Sequence, residues 1–232
     1  MTASAGQSGA GDAGTVLVFG FEPYGGHAIN PSERLVEALD GRRVAGRTVR
    51  GEVLPVRLAP LHASVEASLE RHAPAAVVAF GLRPGERAIC LERVAFNRNN
   101  FPIADDEGVR ARGPVRDGEP ERRPATLPLE AVRTALLAAG IPARRSDDAG
   151  RYLCNALMYA LLSEASRRAH GPPAGFVHLP CLPGQVAAAL AAHDGEAATA
   201  DGAGVPASMS LELMTAAAEI VVATTLAAPA PA

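Results

Sequence analysis

Residues 146–162 read SDDAGRYLCNALMYALL, a stretch that combines a polar turn, a helix start and a cysteine. A polar turn ending in Gly150 passes into an apolar run with helical spacing, which places Cys154 in the first helical turn. Unpaired N–H groups and the positive end of the helix dipole favour a thiolate over a thiol at that point. From this stretch alone, Cys154 fits a nucleophile and a small buried hydrophobic residue equally well.

Apolar runs alternate with helix-like segments along the rest of the chain. Strands are predicted at 16–19, 51–56, 76–80, 88–97, 141–145 and 175–179, and helices after Asn30 and at 61–71, 129–139, 184–192 and 211–226. This alternation implies right-handed crossovers and a mostly parallel sheet that is covered on both faces. The segment 99–126 is rich in proline, glycine and charged residues. We expect it to form a long loop, with a hairpin as one arrangement.

The composition suits one globular catalytic domain at 15–226, with flexible tails at 1–14 and 227–232. The 232 residues are 48% hydrophobic and carry a formal net charge of −3, so neither nucleic acid nor a membrane surface is indicated as a partner. All basic residues are arginine, which excludes lysine Schiff-base chemistry and a P-loop lysine. Three cysteines without CxxC spacing indicate neither a disulfide scaffold nor a structural metal site. Without a signal-like or transmembrane run, we expect a cytoplasmic protein.

Open α/β sheets form their sites at the carboxyl edge, where strands end, and three chemically suited residues are expected in such places. Cys154 begins a helix, His178 ends the strand GFVHLP, and Glu92 lies within CLERVAFN. A thiol nucleophile needs a base, and the base needs a group that orients its second nitrogen. Each residue also has a structural interpretation, since His178 fits a satisfied buried histidine and Glu92 fits an ion pair with Arg93.

A set of short motifs resembles the pyrrolidone carboxyl peptidase family, also called pyroglutamyl peptidase I. The matching segments, with the family's version in parentheses, are FGFEPYGG at 19–26 (TGFEPFGG), ERVAFN at 92–97 (ERVAIN), DDEG at 105–108 (DNEG), TLP at 126–128 (TSLP), AG at 149–150 with CN at 154–155 (AGxxxCN), GFVHLPCLPGQ at 175–185 (GFIHxPxLPEQ) and ASMSL at 207–211 (PSMSL). The order and spacing of these motifs are specific, and the resemblance runs from Val16 to about Thr225.

The resemblance implies a three-layer α/β/α sandwich that assembles as a homotetramer and needs neither metal nor cofactor. It implies removal of an N-terminal pyroglutamyl residue from peptides, with Cys154 as nucleophile, His178 as general base and Glu92 as the third triad member. The implied substrate pocket is apolar and aromatic, and its expected residues are Phe21, Tyr24, Tyr152, Leu153, Ile103 and Leu82. Such a pocket suits a small neutral lactam, whose two faces are hydrocarbon.

Three positions near the expected pocket depart from the family pattern. Leu82 stands where a glutamine is expected, Val56 where many members have threonine, and Pro102 where the family has arginine. Two alternatives therefore remain: a hydrolase of the same fold acting on another N-acyl or lactam substrate, and a catalytically weak binding homologue. Nucleotide binding by the loop at 20–26 is disfavoured, because the loop lacks GxGxxG spacing and a Walker lysine.

Overall fold

The computed structural model describes residues 14–192 and 207–229 as strands and helices in alternation. The strands are β1 (Thr15–Phe21), β2 (Arg43–Val44), β3 (Arg47–Leu54), β4 (Val77–Leu82), β5 (Ile89–Glu92), β6 (Val94–Phe96), β7 (Asn99–Asn100), β8 (Arg112–Gly113), β9 (Arg122–Pro124), β10 (Ala143–Ser146) and β11 (Ala174–Leu179). The helices are α1 (Pro31–Leu39), α2 (Leu61–His72), α3 (Leu129–Ala138), α4 (Leu153–Ser166), α5 (Pro183–Ala192) and α6 (Leu211–Ala227).

A seven-stranded sheet with the order β10-β5-β11-β4-β1-β3-β2 forms the centre of the fold. The neighbouring strands β11, β4, β1 and β3 all run parallel, as the alternation of elements predicts. At one side β5 runs antiparallel to β11 and carries β10 parallel to itself, and at the other side β2 turns back along β3. The predicted mostly parallel sheet is therefore confirmed, with an inverted pair of strands that the sequence did not indicate.

The predicted strand at 88–97 is wrong in one respect, because the chain leaves the large sheet at Arg93. The N–H of Arg93 donates to Ser146 O at 2.7 Å, while its C=O accepts from the N–H of Ala125 at 2.9 Å. The preceding residues therefore join β10 and β11 as β5, and the following ones pair as β6 with β9 in a small separate sheet. The loop at 99–126 also contains the short pair β7–β8.

Successive side chains of the large sheet point to opposite faces, and each face packs into its own apolar core. On one face Val18 and Phe80 belong to a core shared with α1, α3 and α6. On the other face Phe19 and Phe176 pack into a core with α2 and α4. Burying each such side chain contributes about 1.5–3 kcal/mol, so both faces need their helices. The result is the three-layer α/β/α sandwich.

Part of the predicted organisation falls outside the described ranges. The expected tail at 1–14 lies there except for Gly14, as do the expected loop at 194–204 and the last three residues of the chain. α6 continues to Ala227, one residue past the predicted end of the domain. None of the helices in the described ranges is long and apolar enough to cross a membrane.

α1 lies directly on the end of β1 because Gly20 has no side chain. A Cβ at Gly20 would lie 2.5 Å from the carbonyl oxygen of Ser32. Asn30 caps the helix by accepting from the N–H of Ser32 at 3.0 Å, and the N–H of Phe21 donates to Ser32 Oγ at the same distance. The end of β1 and the start of α1 thus hold both ends of the loop at 22–30.

We expect Gly20→Ala to lower the free energy of unfolding by about 1–3 kcal/mol, since the new methyl group meets backbone that has to move. Urea denaturation followed by circular dichroism measures this change. Gly184→Ala is the matched control, because Gly184 lies in α5 with nothing within 4 Å of the added Cβ. The control should be neutral or stabilising by up to about 1 kcal/mol. Equal unfolding curves for the two variants would contradict the close-packing argument.

Candidate active site

Glu92 and His178, predicted from different motifs, meet beneath α4. His178 Nδ1 lies 2.7 Å from Glu92 Oε1, and both side chains are buried. Because the carboxylate is the acceptor, Nδ1 carries the proton of the neutral ring and Nε2 is the basic nitrogen. The pair therefore has the arrangement of a base and its orienting acid.

Glu92 stays ionised although it has no exposed surface. Burial alone would raise the pKa of its carboxyl, but the hydrogen bond and the charge interaction with His178 outweigh burial and hold the pKa below its usual value. Arg83 Nη1 at 3.2 Å and Cys90 Sγ at 3.4 Å also donate to Oε1. Within the described ranges, Oε2 has no hydrogen-bond partner.

Glu92 reaches His178 along a diagonal across two antiparallel strands. In the register of β5 and β11, Glu92 lies opposite Phe176 and Cys90 lies opposite His178. The carboxyl end of β5 therefore points away from the carboxyl end of β11, and the expectation of a shared carboxyl edge is wrong for Glu92. The length of the glutamate side chain spans the offset.

Cys154 approaches the same face of the sheet over Gly81. Gly81 is the β4 neighbour of His178, and a Cβ built on it would lie 3.0 Å from Cys154 Sγ and 2.7 Å from the Phe176 ring. Because Gly81 has no side chain, the Cys154 thiol can lie close to the sheet, next to the strand that carries His178. Among the hydrogen bonds of the described residues there is none between the Cys154 thiol and His178. The structure thus brings the three predicted residues to one face, with only the Glu92–His178 pair in hydrogen-bond contact.

The thiol of Cys154 is not acidified, contrary to the expectation from its helix position. Burial raises its pKa to about 12, with a further contribution from the negative charge of Glu92. The cation of Arg83 and the residue's own N–H act in the opposite direction without reversing the shift. The neutral thiol is therefore the resting form at neutral pH.

A small apolar pocket opens beside Cys154. Its lining consists of Phe21, Tyr24, Asn30, Val56, Leu82, Tyr152, Leu153 and Cys154. All the predicted binding residues line it except Ile103, which is 38% exposed and lies against Gly25 outside the pocket. Asn30, noted in the sequence only as the residue that precedes a helix, was missed as a lining residue.

Two tyrosines line this pocket while their hydroxyl groups are engaged elsewhere. Tyr24 Oη donates to Leu82 O at 3.3 Å, and Tyr152 Oη donates to Ala104 O at 3.2 Å. Burial raises the pKa of Tyr152 to about 12 and also raises the pKa of Tyr24. Both phenols are therefore neutral at physiological pH, and the pocket they line is uncharged.

Two further residues, unassigned in the sequence analysis, hold the elements around the pocket. Asn155 fixes the first turn of α4 on β6, since its side chain accepts from Phe96 N–H and donates to Phe96 O, both at 2.8 Å. Asp105 accepts backbone N–H bonds from Leu58, Glu107 and Val109. Both residues lie in matched motifs, CN and DDEG, which was the available signal. Across the described ranges, no cluster of three potential metal ligands occurs.

Cys154 should be the first cysteine to react with iodoacetamide, because it is partly exposed whereas Cys90 and Cys181 are buried. The pKa of all three thiols is raised, so access rather than acidity sets the order. The rate at Cys154 should rise by about tenfold per pH unit between about pH 7 and pH 10, because the thiolate fraction grows throughout this range. Peptide-mapped labelling over time measures both effects. A plateau below about pH 8 would contradict the raised pKa.

Comparisons with known proteins indicate one family. The family model described as pyroglutamyl peptidase matches residues 14–228. The pyrrolidone-carboxylate peptidase of Pyrococcus furiosus is 40% identical over 172 residues, covering 74% of this chain and 83% of that protein, and the one from Gloeobacter violaceus is 43% identical over 171 residues, covering 73% and 83%. An X-ray structure of the P. furiosus pyrrolidone carboxyl peptidase matches with a TM-score of 0.85 and 35% identity, covering 92% of this chain and 98% of that one. This chain belongs to the pyroglutamyl peptidase family.

Proposed function

We propose that the protein is a cysteine peptidase that removes an N-terminal pyroglutamyl residue from peptides through Cys154, His178 and Glu92. The observation that carries the proposal is the buried His178–Glu92 pair beside a cysteine that itself lines an uncharged pocket. Relatives named pyrrolidone-carboxylate peptidase support the same reaction.

In the proposed reaction, Cys154 Sγ attacks the carbonyl carbon of the pyroglutamyl residue as its proton passes to His178 Nε2. The thiolate arises within this step, because the thiol is the resting form. Glu92, acceptor-only when ionised, holds Nδ1–H and stabilises the imidazolium that forms. The imidazolium then gives its proton to the leaving amine, and His178 activates water to hydrolyse the thioester.

The start of α4 supplies a favourable environment for the oxyanion. Tyr152 is the N-cap of this helix and makes no side-chain capping bond, so the first-turn N–H groups lack the partner that a serine or aspartate cap would give. Cys154 belongs to this turn, and negative charge on the attacked carbonyl oxygen develops close to Sγ. The helix dipole and these N–H groups favour that charge.

The pocket favours a neutral ring over a charged amino terminus. Among the described lining residues there is no carboxylate to hold the ammonium of a prolyl or other free amino-terminal residue. A lactam carries no charge, and its hydrocarbon faces fit against the rings of Tyr24 and Tyr152. Leu82 and Val56 make the lining more apolar than the family pattern, so a different lactam or a small N-acyl group is the alternative substrate class.

We further propose that the enzyme is a cytoplasmic homo-oligomer, with the tetramer of the resembling family as the expected state. Its three cysteines are free thiols, as a reducing compartment maintains them. Leu137 on α3 and Leu213 on α6 are large exposed apolar residues on two helices that pack against each other, which supports self-association. Light scattering of the purified protein measures the mass that tests this proposal.

A pyroglutamyl chromogenic substrate should be hydrolysed by the wild-type protein and not by Cys154→Ala. Matched prolyl and N-acetyl-alanyl substrates should be turned over at least about tenfold more slowly, because a pocket contact of this kind is worth about 1–3 kcal/mol. Release of the chromophore under identical conditions measures all three rates. Faster turnover of the N-acetyl substrate would transfer the assignment to the alternative substrate class. Full activity of Cys154→Ala would overturn the proposed nucleophile.

Glu92→Gln should lower kcat by about 100-fold or more while changing KM only slightly, because an amide does not stabilise the imidazolium. Glu86→Gln is the matched control, since Glu86 is another buried glutamate and it pairs with Arg144 rather than with His178. Steady-state kinetics on the pyroglutamyl substrate, with circular dichroism to verify folding, separate the two variants. A change confined to KM would place Glu92 in substrate binding instead.

A further inference from the structure

Arg83 follows β4 directly and joins two parts of the site. Its backbone is fixed, since its N–H donates to Leu179 O at 3.0 Å and its C=O accepts from the N–H of Glu86 at 3.1 Å. Its side-chain Nη1 lies 3.2 Å from Glu92 Oε1 and 2.8 Å from Asp148 O. One guanidinium therefore connects the buried carboxylate with the loop that leads into the Cys154 helix.

Arg83 is also the permanent cation in contact with Glu92. The other two donors to Oε1 are His178, which is charged only when protonated, and Cys90, a neutral thiol whose pKa burial raises to about 12. Two neighbouring arginines are paired elsewhere, Arg93 with both carboxylate oxygens of Asp147 and Arg144 with Glu86.

We propose that Arg83 is a positioning residue that partly compensates the charge of Glu92 beside His178, and that holds the 147–152 loop against β5. This inference rests on the proposed function of the triad.

The protonation of an imidazole depends on the balance of charge around it. A buried carboxylate without a cation favours the protonated form of its histidine partner, and a protonated His178 has no lone pair to accept the Cys154 proton. Arg83 removes part of that preference by competing for the same carboxylate oxygen. The remaining negative charge still orients the ring and stabilises the imidazolium when it forms. The other titratable or charged groups around the pair are Cys90 on β5, Cys154 on α4, Arg144 on β10, and Glu86 in the turn after β4.

The experiment compares Arg83→Gln, Arg83→Lys and Arg93→Gln by the pH dependence of kcat/KM on the pyroglutamyl substrate. Arg83→Gln should move the acid limb upward by about 0.5–1 pH unit, a value reduced from that of a buried pair because the Arg83 side chain is 34% exposed. Arg83→Lys keeps the cation and should keep the acid limb close to that of the wild type. Arg93→Gln removes a neighbouring arginine that does not touch Glu92, and its acid limb should not move.

A loss of kcat in Arg83→Gln with an unshifted acid limb would overturn the proposal, because a purely structural contact gives that result. Equal shifts in Arg83→Gln and Arg93→Gln would also overturn it, since they would reflect the general field of the surface. If Arg83→Gln does not fold, Arg83→Met replaces it with the same expected upward shift, and an unshifted acid limb in that variant would overturn the proposal.

Alkylation of Cys154 gives a readout that does not depend on the substrate. The cation of Arg83 favours the thiolate, so Arg83→Gln should slow iodoacetamide labelling of Cys154 at each pH while Arg93→Gln does not. Slower labelling in a protein that lacks pyroglutamyl turnover would reject the proposed function and retain the role of Arg83. Unchanged labelling together with an unshifted acid limb would reject the role of Arg83 alone.

Discussion

A carboxylate with no exposed surface is the constraint on which the site depends. An ionised acid in the interior is costly unless charged and hydrogen-bonded partners surround it, and Glu92 has its partners on one oxygen. His178 and Arg83 come from neighbouring strand ends, and Arg83 extends the contact to the carbonyl of Asp148. Satisfying one buried charge thus fixes the relative positions of β4, β5, β11 and the loop before α4.

Gly81 adds a steric condition to this electrostatic one. The Cys154 thiol and the Phe176 ring both occupy space that any side chain at position 81 would fill. The apolar layer that packs α4 on the sheet therefore also brings the thiol beside His178. The contacts that pack α4 on the sheet also position Cys154. We therefore expect substitutions that loosen α4 to lower both the stability of the fold and the reactivity of the Cys154 thiol.

Burial, together with the nearby charge of Glu92, explains why the helix terminus does not produce a thiolate at Cys154. A charge at a helix end gains about 0.3–1 kcal/mol, and up to about 2 kcal/mol when partly buried, which corresponds to roughly one pKa unit. Full burial of an ionisable group shifts its pKa by up to about 3–5 units. Burial and the nearby negative charge of Glu92 therefore outweigh the dipole. Sequence position reveals the dipole, whereas burial and the neighbouring charge become visible only in the folded chain.

The apolar runs in the sequence predicted the parts of the fold that local patterns control. β1, β4, β11 and the long helices α2, α3 and α6 were found with small errors at their ends. β2 and the start of β3 were missed, because the polar residues around Val44 and Val49 leave no apolar run there. The division of the 88–97 strand depends on hydrogen bonds from Arg93 to residues distant in sequence. The inverted direction of β5 likewise has no local signal.

Residue chemistry and motif order predicted the candidate residues of the site. Most of the predicted pocket residues line the pocket beside Cys154. Ile103 lies outside this pocket because the path of the loop at 101–109 is set by Asp105, which accepts backbone N–H groups from both inside and outside the loop. The sequence did not indicate a role for Arg83, because its partners Glu92 and Asp148 are 9 and 65 residues away. Neither separation has the period of a helix or a strand.

The order of strands in the sheet has a consequence for biosynthesis. β1, β3 and β4 and the helices between them are close in sequence and adjacent in space, so they can pair as soon as they leave the ribosome. β5 is different, because it is inserted between β10 and β11, which are made more than fifty residues later. Until β11 has been synthesised, Glu92 has no histidine to orient and His178 does not exist. A nascent chain of this peptidase therefore cannot act on cellular peptides before most of its length has been translated.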